Sequence, residues 1–153
     1  MNWLEGYLPI FVDVSMDRLS KYMDTVRQKE ISRKYSEREF QDLVLRRVQQ
    51  RFPGQVAQIV LRIHADSIAG SGTVKLGGIS FPVSMKLGIR LVQQKPFTEI
   101  REVKIGPLAV PQPLLKTLEK QVNATIERQK YPLRVKEYQL REGSVTISVE
   151  KAR

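Results

Sequence analysis

The sequence predicts an α+β fold: one long, curved antiparallel sheet of about six strands wrapped around one or two amphipathic helices. Three observations carry this expectation. The stretch "ISFPVSMKLGIRL" alternates almost without a break, so that Ile79, Phe81, Val83, Met85, Leu87, Ile89 and Leu91 share one face. Gly77-Gly78 stands just before it, and glycine accepts the positive φ that a two-residue hairpin turn requires. Two further segments, about 36–52 and 113–129, repeat apolar residues at i, i+4. At ~3.3 Å per residue the alternating strand would span roughly 40 Å, against a usual strand of about five or six residues. So long an apolar face needs helices to cover it.

The elements follow in order. After an aromatic opening (Trp3, Tyr7, Phe11), Met16, Leu19, Met23 and Val26 recur at helical spacing between about Ser15 and Lys29. Residues 1–34 read as an N-terminal helical extension and residues 35–150 as the core of a single domain spanning 1–153. In "YSEREF", Ser36 is a candidate cap, Glu39 completes a capping box, and Tyr35 staples onto Phe40. Phe40, Val44, Val48 and Phe52 form the stripe of this helix until Pro53-Gly54 stops it. Ile59, Leu61 and Ile63 share one strand face, and a turn near His64–Ser67 pairs Ile63 with Ile68. The diglycine turn pairs Leu76 with Ile79, Val74 with Phe81 and Ile68 with Leu87. It also places Gly70 and Gly72 opposite Met85 and Val83, where missing side chains let a sheet bend. Pro82 falls opposite Thr73. The next strand, "FTEIREVKI", turns back through Lys95-Pro96, sets Ile100 opposite Leu91 and bulges near Arg101–Glu102. This strand stops short of Pro82. A proline-rich approach then leads into a helix whose stripe is Leu114, Leu118, Val122 and Ile126, broadened by Leu115 and ended by Pro132. A last hairpin turns at Glu142-Gly143 and pairs Leu140 with Val145 and Tyr138 with Ile147.

Composition limits the function classes. The 153 residues are 41% hydrophobic and 27% charged, a globular rather than disordered balance. No apolar run reaches the roughly 18 residues that span a bilayer, and the opening lacks the basic start and cleavage site of a signal peptide. There is no cysteine and a single histidine, which removes disulfides and thiolate metal sites. Net charge is +10, and it is uneven: residues 1–30 hold four basic and five acidic groups, residues 31–153 hold 22 and 11. Such a body favours anionic partners.

Four stretches resemble the LmeA-like phospholipid-binding proteins of the bacterial cell envelope. "YSEREFQDLVLRRV" is similar to that family's opening helix and "DSIAGSGTVKLGGISFPVSMKLGIRL" to its central hairpin. "VKIGPLAVPQPLLKTLEKQVN" resembles its Gly-Pro-rich lead into the long helix, and "LRVKEYQLREGSVTISVE" its closing hairpin. Together they cover about Tyr35 to Glu150, and the likeness lies in their order more than in invariant residues. The resemblance implies a fold related to tubular lipid-binding proteins, lipid binding, and an extracytoplasmic place in the cell envelope, reached by export or by an anchor preceding Met1. The N-terminal segment of about 30 residues departs from that pattern.

The resulting site expectation is a lipid-binding groove between sheet and long helix, lined by Ile59, Leu61, Ile63, Phe81, Val83, Met85, Leu87, Ile89, Leu118, Val122 and Ile126. The same stripe read without the resemblance is ordinary core. Arg38, Arg46, Arg47 and Arg51, with Trp3, form a candidate headgroup and membrane surface, the alternative being a solvated helix face. No catalytic constellation, metal site or cofactor motif is present: His64 beside Asp66 lacks a nucleophile, and the "GSG" of Gly70–Gly72 lacks a following Gly-Lys. Asn123-Ala124-Thr125 spells a glycosylation sequon on a helix face, the wrong place for one. The expected function is non-enzymatic binding of phospholipid or another amphiphile, with an anionic membrane surface as a further partner. A nucleic-acid binder and an envelope scaffold with a filled core are the alternatives. The absence of helix-turn-helix, zinc-module or RNP-type signals argues against nucleic acid. No feature sets the oligomeric state.

Overall fold

The computed structural model describes residues 2–26, 29–129 and 133–151, without the side chains of residues 2, 3, 25 and 26. The expected Val26 of the N-terminal stripe and the helix-ending Pro132 therefore lie outside what is described. The chain is α+β, as the sequence predicts, but its strands form two sheets rather than one. The larger has five strands in spatial order: β2 (Val56–Ile63), β3 (Ile68–Leu76), β4 (Ile79–Val92), β5 (Lys95–Ile105) and the two-residue β6 (Leu108–Ala109), antiparallel throughout. The smaller places β8 (Ser144–Lys151) between β1 (Glu30–Ser36) and β7 (Leu133–Arg141). The helices are α1 (Asn2–Tyr7), α2 (Ile10–Val26), α3 (Glu37–Arg51) and α4 (Gln112–Arg128).

The diglycine register holds in full. Leu76 pairs with Ile79, Val74 with Phe81, Thr73 with Pro82 and Ile68 with Leu87, and Gly77 and Gly78 carry φ of 57° and 80°. Gly70 lies in close approach: a Cβ there would stand 3.1 Å from Leu61 Cδ2. The β4–β5 turn differs from expectation. It forms at Gln93-Gln94, both at positive φ (52° and 63°), so Leu91 faces Pro96 and Ile100 faces Leu87, four residues from the expected partner. The bulge does fall at Arg101, between the Lys86–Glu102 and Leu87–Ile100 pairs. β5 ends opposite Val83, one residue short of Pro82, whose carbonyl instead accepts the Gly106 N–H at 2.8 Å.

The N-terminal segment is no appendage. In α2 every residue from Ile10 to Met16 is buried, as are Leu19 and Met23. These first two turns are apolar nearly all round and belong in the core, whereas Arg18, Lys21, Tyr22 and Asp24 face solvent in the second half of the helix. The last part of the expected helical extension is strand β1, which pairs with β8 from Glu30–Glu150 to Ser36–Ser144. Ile31 and Tyr35 point inward, while Arg33 between them covers the Tyr35 ring, 5.2 Å from its centroid.

Two helices finish the edges of the large sheet with side chains. Gln41 and Glu37 of α3 accept the N–H groups of Leu61 and Ile63 on β2, each at 2.9 Å. On the opposite edge, Thr98 N–H donates to Asn123 Oδ1 and Asn123 Nδ2 donates to the Thr98 carbonyl, both at 2.8 Å. Glu119 accepts the Ile100 N–H at 3.0 Å. Sheet edges left bare invite pairing with other chains, and these contacts occupy them. The same amide use accounts for Asn123 without glycosylation. α3 itself starts on the expected capping box, Ser36 and Glu39 each accepting the other's backbone N–H.

The small sheet crosses one end of the large one. Val135 N–H donates to the Gln94 carbonyl at the β4–β5 turn, and Gly143 N–H donates to the Ile63 carbonyl at the end of β2, both at 2.9 Å. The first half of α2 is buried, with α1, α3 and β1 packed against the helix.

Two outcomes follow for stability. Asn123→Ala leaves the Thr98 N–H and carbonyl without their partner and should cost about 2–3 kcal/mol in urea unfolding. Burial pushes the Tyr138 phenol up to about 12, its neighbour Ser15 drawing it back only in part. The folded chain therefore keeps this proton after an unfolded tyrosine, near pH 10, has lost it. Stability should then fall as pH rises from about 10 to 12, by up to ~1.4 kcal/mol per unit from this group. Tyr138→Phe should flatten that fall in pH-dependent melts.

Candidate ligand pocket

Ten of the eleven expected groove residues divide among three places. Ile59, Leu61, Val83 and Met85 line an apolar cavity of about 60 Å³, closed from above by Leu4, Tyr7 and Phe11. Ile63 and Leu87 are buried outright in the core, with Phe81 and Ile89 packed at its margin. Leu118 and Val122 are buried under α4, whose stripe runs through Leu115 while Leu114 stays 51% exposed. The hollow of the large sheet is thus mostly filled, and α1 with the start of α2 does the filling. Tyr7 stacks on Phe52 with ring centroids 4.2 Å apart, and its hydroxyl donates to Gln55 Oε1 at 3.2 Å. A space of about 60 Å³ is well below the roughly 300–1,000 Å³ of ligand pockets.

The eleventh residue, Ile126, belongs to a larger opening. Between the β4–β5 hairpin and the C-terminal half of α4 lies a pocket of about 700 Å³. Its apolar walls come from Met16 of α2, Val92 and Phe97 of the hairpin, Ile126 of α4 and Leu133 of β7. Lys95 and Lys120 stand at its rim with Gln93, Gln94 and Glu127. Both lysines are exposed, and neither is in an ion pair among the described residues. Phe97 is held in place from outside: Arg90 lies 4.7 Å from its ring centroid and is itself fixed by Glu99 at 2.6 Å. The chemistry on offer is an apolar interior with positive charge at the mouth. It suits an amphiphile with an anionic head.

Sequence reasoning missed Met16, Val92, Phe97, Leu133 and both lysines. Placing the turn at Lys95-Pro96 set these hairpin residues aside as a loop. Nothing local marks Gln93-Gln94 as the turn, because glutamine is not a residue that favours positive φ.

The arginine surface also divides. Arg47 binds Asp17 at 2.9 Å, and Arg51 reaches the buried Asp13 at 3.5 Å, so both tie α3 to α2. Arg38 and Arg46 are exposed, and the Trp3 side chain lies outside the described residues. His64 does not pair with Asp66. It stands 3.3 Å from Glu142, which also accepts the Ala65 N–H at 3.2 Å, while Asp66 takes the Ser67 hydroxyl and Arg101. Among the described residues no cluster of three or more His, Asp or Glu side chains could hold a metal, and no helix is long and apolar enough to cross a membrane. No family model, curated protein or solved structure matches the chain.

The two kinds of arginine should separate on mutation. Arg51→Met, facing a buried carboxylate, should destabilise the fold by about 1–2 kcal/mol, and Arg38→Met should stay within about 0.5 kcal/mol. Paired chemical denaturation curves make the comparison.

Proposed function

We propose that the protein binds, without catalysis, a phospholipid or similar amphiphile whose tail occupies the pocket between the β4–β5 hairpin and α4. The pocket carries this reading by its size, about 700 Å³, with apolar walls and, at the rim, two lysines in no ion pair among the described residues. That volume lies within the range of known ligand sites. Each buried methylene contributes about 0.8 kcal/mol of gross burial, so a chain of ten carbons can bind after ordering costs. The likeness of four stretches to LmeA-like phospholipid-binding proteins points the same way, and with it to the cell envelope as the place of action. The filled hollow of the large sheet favours a site at the end of the long helix, away from most of the residues named from sequence.

Protein purified and extracted with organic solvent should release an amphiphile detectable by mass spectrometry. After delipidation it should bind a fluorescent twelve-carbon fatty acid. Ala124→Trp, at an exposed position on the pocket wall, should abolish probe binding without lowering stability. Lys95→Glu with Lys120→Glu should weaken it about tenfold, an effect that fades in high salt. A clean extract together with no probe binding by the delipidated protein would end the proposal.

A further inference from the structure

The end of the large sheet opposite the pocket mouth has its own chemistry. The β3–β4 turn projects there, four residues past the last β4–β5 pair, Val83–Ile105. The β5–β6 turn sits beside it, Gly106 N–H donating to the Pro82 carbonyl, and the lead into α4 returns along the same end through the Val110 N–H to Val103 carbonyl bond. Three large aliphatics are displayed on these turns: Ile79 is 68% exposed, Leu108 72% and Leu114 51%. They are not a flat patch. Each stands on a separate backbone projection, held by a diglycine turn, a two-residue strand paired to β5, and the first turn of α4 respectively.

The surrounding charge is one-sided. In the segments that meet here, residues 71–84 hold Lys75 and no carboxylate, and residues 103–118 hold Lys104 and Lys116 and none. Lys75 and Lys116 lie on this end without an ion pair among the described residues, whereas Lys104 is neutralised by Glu102 at 3.1 Å. Glu119, the next acid along α4, has its carboxylate turned to the Ile100 N–H. Isolated aliphatics that project among unpaired cations match the boundary of an anionic bilayer, where apolar groups enter and cations meet headgroup phosphates. A protein partner would be served by contiguous apolar area, which this end does not offer.

We infer that this end of the sheet docks on anionic membranes, with Ile79, Leu108 and Leu114 entering the headgroup boundary and Lys75 and Lys116 resting on phosphate. Docking does not depend on the pocket's ligand. β4, 14 residues long, separates the two ends by roughly 45 Å, so each can be altered alone.

The test uses the full chain and vesicles of phosphatidylglycerol and phosphatidylcholine in equal parts, with pure phosphatidylcholine alongside. Sedimentation should show binding to the anionic vesicles only. Ile79→Ser with Leu108→Ser, both exposed positions, should reduce the partition coefficient at least tenfold with an unchanged melting curve. Lys75→Glu with Lys116→Glu should reduce it similarly. The chain has no cysteine, so Leu108→Cys introduces one labelling site for an environment-sensitive dye. Its emission should shift to the blue on anionic vesicles, while the same dye at Val60→Cys, 43% exposed on β2, should not respond. Undiminished vesicle binding by the serine pair, or a silent dye at position 108, overturns the inference. So does binding to a short RNA that matches vesicle binding in strength and is unaffected by the serine pair, which would assign the cations to nucleic acid. The Ala124→Trp protein should still dock. Wild-type protein that binds the probe but not the anionic vesicles counts against this inference alone, and wild-type protein that binds the vesicles but no probe counts against the pocket alone.

Discussion

The first two turns of α2 have no polar face and have to be enclosed, and that requirement organises this chain. Seven consecutive residues of α2, Ile10 to Met16, are buried, including Asp13 and Ser15. No single sheet can cover a helix on all sides. α1, α3 and β1 pack against the helix, and Phe11 reaches the large sheet beside Gly70. The polar residues that enclosure brings inward are given specific partners: Ser15 donates to the Val12 carbonyl at 3.0 Å, and Asp13 lies against Arg51. Two phenols, Tyr35 and Tyr138, are buried near α2 without well-formed hydrogen bonds, and burial raises the pKa of both. Enclosing the helix thus leaves a modest polar debt in the core.

Once α2 is central, the sheet edges become the next problem, and side chains rather than further strands solve it. Helices have no spare backbone donors or acceptors along their length, so an edge can be satisfied by a helix only through its side chains. Gln41 and Glu37 do this for β2, and Asn123 and Glu119 for β5. The spacing is that of the two structures meeting. Positions 37 and 41, like 119 and 123, are one helical turn apart, about 6 Å of rise, close to the spacing of alternate strand residues 61 and 63 or 98 and 100. Each helix therefore lies along an edge in a single axial position, which also fixes where α4 ends and the pocket begins.

Much of this was legible in the sequence, and the failures have identifiable causes. The β3–β4 ladder could be read because Gly77-Gly78 leaves only one turn geometry and the alternation on both sides allows only one register. The capping box of α3 and the Glu142-Gly143 turn were equally local signals. The β4–β5 turn was not, because two glutamines at positive φ are imposed by the pairing of Leu87 with Ile100 and the bulge at Arg101, not by their own preference. β1 escaped because Arg33 sits on its inward face between Ile31 and Tyr35 and breaks the alternation; only its stacking on Tyr35 makes that position tolerable. Its partner β8 lies more than a hundred residues away in the chain, and periodicity carries no information about such pairings. The aromatic opening was read as an extension because seven consecutive buried residues, Ile10 to Met16, show no face, and the stripe Met16, Leu19, Met23 marks only the half of α2 that reaches the surface.

The distribution of carboxylates connects the architecture to the proposed chemistry. Of the 16 acidic residues, several are held by internal structure: Glu37 and Glu119 by strand N–H groups, Glu39 by the cap of α3, Asp13 and Asp17 by arginines that dock α3, and Glu142 by the Ala65 N–H. Glu37 and Glu119 are half-buried with their carboxylates turned to backbone N–H groups, which reduce the field outside, whereas Glu39 and Glu142 stay exposed. The cations have fewer such duties. Arg47 and Arg51 are tied to α2, yet Lys75, Lys95, Lys116 and Lys120 remain on the surface in no ion pair among the described residues. They fall at the two ends of the large sheet, two beside exposed aliphatics and two at the mouth of an apolar pocket. Other exposed cations in no ion pair among the described residues, Arg38, Arg46 and Lys86 among them, lie elsewhere on the surface, so only part of the net charge of +10 stands beside open apolar surface. Where it does, that pairing of cation with hydrocarbon is the common chemical requirement of an anionic amphiphile, whether single or assembled in a bilayer.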